Sequence, residues 1–428
     1  MEFKEHLRKY LNEEEISSLL GALASKKSKH ALLLNEEKMS ATTFENEFPL
    51  VKKHPFIPNC YIYEDDIYHF GKHIYFDMGV YYLFEPCSPL VSYLLNPSEN
   101  DTVLDIAAAP GGKTTHASLL MKNKGILVSN EISKERSLIL SSNIERMGRK
   151  NVIVTNTTSS ALEKKYPSTF SCIILDAPCS GSGMFRKESK MKDDWTYAKV
   201  LSCAKVQKEL ILQAFDMLME GGRLVYSTCS FSYEEDEEVI SYLLEQREDA
   251  SLCEIPSAPY FYKSKSNIGI HLFPHLYEGE GHYICLIEKK RNMNTISSYK
   301  KDKKESISSI NKICGIDDFI YKNENIYYSL PSYFDTKGIH VIRGGCKIGT
   351  LEKYGFEFDH ALSHVLSSFS SMCDLSLEEA SSYLKGEQLI KDAPSGIVLL
   401  RYNGIPLGWG KSVKGRINNK YPKGLRRK

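Results

Sequence analysis

The stretch that most constrains this chain is residues 102–115, TVLDIAAAPGGKTT. A run rich in Val, Leu and Ile ends in small residues and Pro110-Gly111-Gly112, after which Lys113-Thr114-Thr115 opens a helical pattern. That order predicts a strand, a tight turn and a helix. Such a turn sets backbone N–H groups and a helix N-terminus at the carboxyl end of a strand, where doubly wound α/β sheets bind nucleotide-like ligands. Gly111 and Gly112 have no Cβ, so a ligand can approach the main chain and φ > 0 is open to both.

The pattern continues on either side. Strands are expected at 102–108, 126–131, 152–156, 171–176, 222–228 and 282–287, and helices at 113–122, 133–147, 203–219 and 235–246. This alternation predicts a mostly parallel sheet covered on both faces, with Gly221-Gly222 read as a helix C-cap. At 428 residues the chain is long for one domain. Residues 4–23 carry apolar side chains at helical spacing and 31–76 turn strand-like and aromatic, so 1–78 reads as a small α+β, RNA-binding domain. The core spans 79–287, a Lys- and Ser-rich linker 288–310, and a C-terminal RNA-binding region 311–428. From Lys411 onward there are eight Lys or Arg and no acid. Lys411, Lys414, Arg416, Lys420 and Lys423, with Trp409 and Tyr421, suit a phosphate backbone and a stacked base; a solvated basic tail is the plainer reading.

A net charge of +1 names no partner, so any nucleic-acid footprint must be local. The 11 cysteines are odd in number and contain no C-x-x-C pair, which fits neither a disulfide framework nor a zinc ribbon. We expect a reducing cytoplasm, no bound metal and a monomer. The start of the chain lacks the apolar core of a signal peptide, and no run is long enough to span a membrane.

AAAPGGKT nearly matches the phosphate-loop pattern G-x-x-x-x-G-K-S/T, which makes a nucleotide phosphatase a rival, but Ala107 stands where the first Gly belongs. Glu131, about 20 residues beyond the turn, could accept ribose hydroxyls or simply open the next helix ahead of Ser133. Two further strand ends carry Asp176-Ala-Pro-Cys179 and Thr228-Cys229-Ser230. Each cysteine alone reads as a small buried hydrophobe. Two at equivalent strand ends, beside an Asp and facing the glycine turn, point to chemistry. A thiolate adds to an electron-poor ring carbon and makes the adjacent carbon nucleophilic. For cytosine, addition at C6 activates C5 toward an electrophilic methyl, and an acid at Asp176 on the N3 edge would stabilise the adduct.

AAAPGGKTT, DAPCSGSG and STCSFS, in that order, resemble the Nop/Sun family of RNA cytosine-5 methyltransferases, which use S-adenosylmethionine on a class I, Rossmann-like fold. The resemblance begins at YYLFEPCSPLVSYLL, from Tyr81, and runs to Ile287. GSGMFRKE and the tail GWGKSVKGRINNKYPKGLR are similar to the bacterial ribosomal RNA members of RsmF type, which end in a PUA-like RNA-binding domain. It implies methylation of cytosine C5 in RNA, small-subunit (16S) ribosomal RNA above all, with RNA and not DNA or membrane as partner. It places the nucleophile on Cys229 and assistance to product release on Cys179, although DNA cytosine-5 methyltransferases use the Pro-Cys thiol, so chemistry alone leaves both open. It assigns the cofactor loop to Ala107, Ala108, Ala109, Pro110, Gly111, Gly112 and Lys113, the ribose contact to Glu131, and the acid of the fourth motif to Asp176. Arg186 and Lys187 become candidates for the target nucleotide's phosphates. Asn156 stands where the family has an Asp on the adenine amino group, which implies weaker cofactor binding. A non-catalytic RNA-binding assembly factor is the rival from another class.

Overall fold

Five parallel strands form the centre of the molecule, in the order Leu218–Thr228, Phe170–Asp176, Thr102–Asp105, Ile126–Asn130, Val152–Thr155. The structure is a computed structural model and describes residues 2–9, 11–25, 29–187, 189–291, 316, 318–353 and 355–427. Successive side chains alternate between two apolar layers. Val103, Leu127, Val154, Ile174 and Val225 face one layer, and Leu104, Val128, Ile153, Ile173 and Leu224 the other. Helices Pro89–Leu95, Gly112–Leu120 and Lys134–Arg146 cover the first, and Ser159–Lys165, Tyr197–Met217 and Glu237–Gln246 the second. Because both faces are covered, these strands read as unbroken apolar runs.

From Thr102–Asp105 the chain first builds outward to one side and then crosses to Phe170–Asp176 on the other. That reversal opens a crevice at the carboxyl ends of these two strands, the place where open α/β sheets bind ligands.

Antiparallel strands close both edges. His282–Lys289 pairs with Leu218–Thr228, and Ala250–Leu252 and Ile270–Leu272 pair with it in turn. At the far edge Val341–Gly344 pairs with Val152–Thr155, so the region from 311 onward contributes a strand to the central sheet instead of standing apart. Gly221-Gly222 is not a C-cap. The helix ends at Met217 with an extended Leu218, and the glycines sit inside Leu218–Thr228, where the register with Phe170–Asp176 shifts.

The N-terminal sheet runs Lys52–Lys53, Cys60–Tyr63, His30–Leu34, Tyr81–Phe84, so its last strand lies beyond the boundary expected at 78. Its aromatics form a packed face: Tyr61, Tyr63, Phe70, Tyr75 and Tyr81 share one core with Leu400, Leu407 and Ile417 of the C-terminal sheet and Tyr383 of the helix Leu377–Lys385. Asn403 Nδ2 donates to Tyr75 Oη at 2.8 Å, and Arg427 pairs with Asp77. A four-stranded sheet of Phe319–Asn323, Ile326–Leu330, Cys346–Glu352 and Gly355–Phe358 packs against the C-terminal sheet through Tyr327, Ile348, Leu399 and Trp409.

The expected first helix is two, Phe3–Leu7 and Glu13–Ala24, split where the Asn12 side chain accepts from the N–H groups of Glu14 and Glu15. Leu7, Leu11, Ile16 and Leu19 pack on Phe231 and Phe273, so these helices cover the loop after Cys229. Of the linker expected at 288–310, residues 288–289 belong to the strand His282–Lys289, and 292–310 lie outside the described residues.

Candidate active site

The glycine turn is shaped by what surrounds it. Gly111 has φ +110°, and a Cβ there would lie 2.9 Å from Leu140 Cδ1; at Gly112 it would lie 2.8 Å from Phe84 Cε1. Only glycine fits either position without displacing a packed side chain. The loop is held by Ala108 N–H donating to Asn130 O (2.8 Å), Arg136 Nη2 to Ala109 O (2.8 Å) and Asn143 Nδ2 to Pro110 O (2.9 Å). It borders a cavity of about 370 Å³ whose wall includes Ala107–Pro110, Gly112, Phe84, Asp105, Lys113, Asp176 and Lys187. That volume falls in the ~300–1,000 Å³ range of small-molecule sites. The buried Asp105 accepts from Thr114 Oγ1 at 2.7 Å through Oδ2, while Oδ1 has no hydrogen-bond partner, and burial pushes its pKa up to about 7. An unpartnered buried carboxylate oxygen and a loop closed to any Cβ fit a polar ligand in this cavity, as S-adenosylmethionine requires.

Lys113 is not free to reach for a phosphate. Its Nζ donates to Asp176 Oδ2 at 2.7 Å and to Ser88 Oγ at 3.3 Å, which removes the basis for the phosphatase reading. Asp176 Oδ1 accepts from Ser227 Oγ at 2.7 Å and lies 3.4 Å from His282 Nε2. Burial by itself would lift the Asp176 carboxyl, but the Lys113 ammonium with its hydrogen bond and the nearby His282 ring outweigh it and hold the group below the usual carboxylate range. The ion pair therefore favours the charged form of Asp176. Lys113 is correspondingly raised: burial works against its charge, and Asp176 more than compensates.

The two thiols meet. Asp176 pairs with Ser227 across parallel strands, so the chain just beyond each strand end carries Cys179 and Cys229 together, their Sγ atoms 3.1 Å apart. Both remain free cysteines. The hydrogen bond with Cys229, then burial, pushes the Cys179 thiol well above its ordinary value.

What holds the pair was not legible as function. All four acids of the run Glu234–Glu237 are buried. Glu235 accepts from Ser180 N–H (2.7 Å), Ser230 Oγ (2.6 Å) and Gln207 Nε2 (3.2 Å), and Thr228 Oγ1 donates to Asp236 at 2.6 Å. Ser182 Oγ accepts from Phe231 N–H at 2.8 Å, and Gly183 N–H donates to Cys229 O at 2.7 Å. The serines of DAPCSGSG and STCSFS thus rivet the two cysteine loops to one another; their number in both motifs is the signal that could have pointed to buried acids. His282 carried no such signal, since only the antiparallel register beside Leu218–Thr228 brings it to Asp176.

The remaining candidates divide. Glu131 is buried; its Oε1 accepts from Ser133 N–H at 2.9 Å, and its Oε2 has no hydrogen bond and lies 3.4 Å from Arg136. It therefore braces the turn ahead of the helix that Ser133 caps, with its second oxygen facing Arg136. Asn156 Nδ2 donates to the carbonyls of Glu131 (2.7 Å) and Ile132 (2.9 Å), which leaves its Oδ1 as the acceptor. Arg186 is tied to Glu280 (2.9 Å) and Gly279 O (2.8 Å), whereas Lys187 is exposed at the cavity. Lys411, Lys414, Arg416, Lys420 and Lys423 are exposed along the C-terminal sheet and the turn after it, and none lines the catalytic cavity. Trp409 and Tyr421 are 3% and 4% exposed, and Trp409 Nε1 donates to Asp359 O at 2.8 Å. Both are core residues and not stacking platforms.

Over residues 92–288 the chain matches the family described as 16S rRNA methyltransferase RsmB/F, and over 371–427 the methyltransferase RsmF PUA domain. A protein named ribosomal RNA small subunit methyltransferase F in Vibrio parahaemolyticus is 33% identical over 381 residues, covering 81% of this chain and 79% of its own. Its namesake in Psychromonas ingrahamii is 32% identical over 384 residues, with 81% and 79% covered. Among solved structures, a methyltransferase homologue from Pyrococcus horikoshii shares 26% identity and superposes with a TM-score of 0.59 over 67% of this chain and 93% of that one. NSun6 from the same organism, crystallised with SFG, has the same fold at 22% identity and a TM-score of 0.58, over 68% and 98% of the two chains.

Proposed function

Because this chain belongs to the RsmB/F family, whose members are S-adenosylmethionine-dependent methyltransferases, we propose that it methylates C5 of cytosine in small-subunit ribosomal RNA through a cysteine bonded to C6. The observation that carries this reading is the pair of thiols 3.1 Å apart beside the Lys113–Asp176 ion pair. A scaffold or a binding module has no use for two sulfurs brought together at a crevice.

The Cys229 thiolate adds to C6, and the electron pair displaced from the 5,6 double bond enriches C5. Bound S-adenosylmethionine supplies the electrophilic methyl. Asp176 accepts from the exocyclic amino group, and the Lys113 ammonium it holds stabilises the charge that develops toward N3. The C5 proton is then lost to a base, the C6–S bond breaks and the double bond re-forms. Cys179, kept protonated, hydrogen-bonds the departing Cys229 thiolate. The ten described cysteines are all free, in keeping with a reducing cytoplasm, and no described helix is long and apolar enough to cross a membrane. The working unit in this reading is a monomer.

The test is to incubate the protein with methyl-labelled S-adenosylmethionine and ribosomal RNA from cells that lack it, then digest to nucleosides. Label in 5-methylcytidine is expected, with none from Cys229→Ala and a covalent protein–RNA adduct from Cys179→Ala. Label in any other nucleoside refutes the reading, and an adduct with Cys229→Ala reverses the two cysteines' roles.

A further inference from the structure

A second and larger opening adjoins the catalytic cavity. It measures about 600 Å³ and lies between the N-terminal sheet, which contributes Lys29, Lys52 and Lys53, and the core, which contributes Tyr260, Tyr277 and Arg186. Two chain segments wall both spaces. Lys29 and Arg186 face this cleft, while their neighbours His30 and Lys187 line the catalytic cavity. The cleft therefore lies next to the cavity at the glycine turn, separated from it by these two segments.

Its chemistry suits one class of ligand. Four cationic side chains line it beside Glu278; Lys29 pairs with Glu278 at 2.7 Å and lies 3.6 Å from Glu64, and Lys53 pairs at the exposed rim with Glu45 at 2.9 Å, ion pairs that a phosphate can replace. Arg186 is a fixed wall, held by Glu280 and Gly279, while Lys52 and Lys53 project from an exposed two-residue edge strand. Tyr260 is 39% exposed and is braced by Phe56 at 5.9 Å and 76° and by Tyr277 at 5.7 Å and 55°. Tyr277 is itself anchored, with Oη 2.7 Å from His54 Nε2. A basic rim beside a braced, partly exposed ring is how proteins bind single-stranded nucleic acid: cations track the phosphates and the ring takes a base.

We propose that this cleft holds the single-stranded RNA flanking the target nucleotide, with Lys29, Lys52 and Lys53 on its phosphates and a base stacked on Tyr260. This rests on the RNA-methyltransferase reading above. It moves sequence-independent grip to the junction between the N-terminal sheet and the core, and leaves the basic C-terminal sheet a separate contact.

The test measures binding of a short fluorescein-labelled single-stranded RNA by anisotropy, across about 50–200 mM salt, with methyl transfer by the wild type assayed in parallel. Lys52→Ala combined with Lys53→Ala lowers the salt slope by about 1.4, at about 0.7 per phosphate contact on a single strand. The backbone pairing of this strand with Ile62 and Tyr61 does not depend on those side chains. Tyr260→Ala weakens binding about 5- to 150-fold with the slope unchanged, and Tyr260→Phe, which keeps the ring, restores it. Lys164→Ala, an exposed lysine outside the cleft, serves as the control for general charge. If the wild type transfers label to RNA while the cleft variants match it in affinity and slope, the cleft proposal is overturned and the enzyme reading stands. If the wild type transfers no label to RNA, the enzyme reading falls and takes the cleft with it.

Discussion

Lys113→Met exposes what the ion pair does for Asp176. Two unit charges at the observed 2.7 Å attract by about 6 kcal/mol at an effective dielectric of about 20, and by about 1.5 kcal/mol in water. The Lys113 side chain is 11% exposed and that of Asp176 30%, which places the loss between those limits, at about 2–4 kcal/mol. At 1.36 kcal/mol per pH unit, the Asp176 pKa rises by about 1.5–3 units. Burial opposes the ammonium on this carboxyl, and His282 remains beside it, so without Lys113 it should titrate closer to the ordinary carboxylate value. A ¹³C carboxyl titration, with Asp176→Asn to identify the resonance, reads this directly. In the wild type the depressed group contributes stability that is present above about pH 3.9 and is lost as the pH falls through its folded value. In the variant, with the carboxyl closer to its unfolded value, that contribution shrinks. Below about pH 4, thermal stability should then fall less steeply with acid in the variant than in the wild type. A variant whose Asp176 titrates where the wild type's does refutes the assignment of Lys113 as the group that keeps this carboxylate ionised.

Other positions give independent checks. Gly112→Ala places a Cβ 2.8 Å from Phe84 Cε1, and overpacking of about 1–3 kcal/mol should weaken S-adenosylmethionine binding by calorimetry about 5- to 150-fold. Glu235→Ala frees Ser180, Ser230 and Gln207 at once; turnover should fall about 100-fold or more with cofactor affinity kept, and a normal rate would show that the thiols need no such clamp. Asn156→Asp removes both donors to the Glu131 and Ile132 carbonyls, so it should cost about 1–3 kcal/mol in thermal unfolding without tightening cofactor binding. Trp409→Ala should destabilise the C-terminal sheet by about 3–5 kcal/mol, visible as a lowered melting transition, because the ring is core.

The alternation of apolar strands and amphipathic helices was readable along the chain, and so were the glycine turn and the two cysteine motifs, because each is a local pattern with a local physical cause. Periodicity of two or 3.6, a residue that tolerates φ > 0 and a thiol at a strand end all depend on near neighbours in sequence. The order of the motifs was enough to place Cys179 and Cys229 on adjacent strand ends, where the structure brings them to 3.1 Å. Three features depended on contacts between distant segments. The state of Asp176 is decided by Lys113, 63 residues away, and by His282, delivered by the antiparallel strand His282–Lys289. The acids at 234–237 are buried in the fold because hydroxyls and amides, some from distant segments, surround them. The two ends of the chain, legible only as separate domains, share one core through Tyr75, Tyr383 and Leu400. Local sequence determines which element forms and which face is apolar; the sign of a buried charge and the partner of an apolar face are set by what the completed fold places against them.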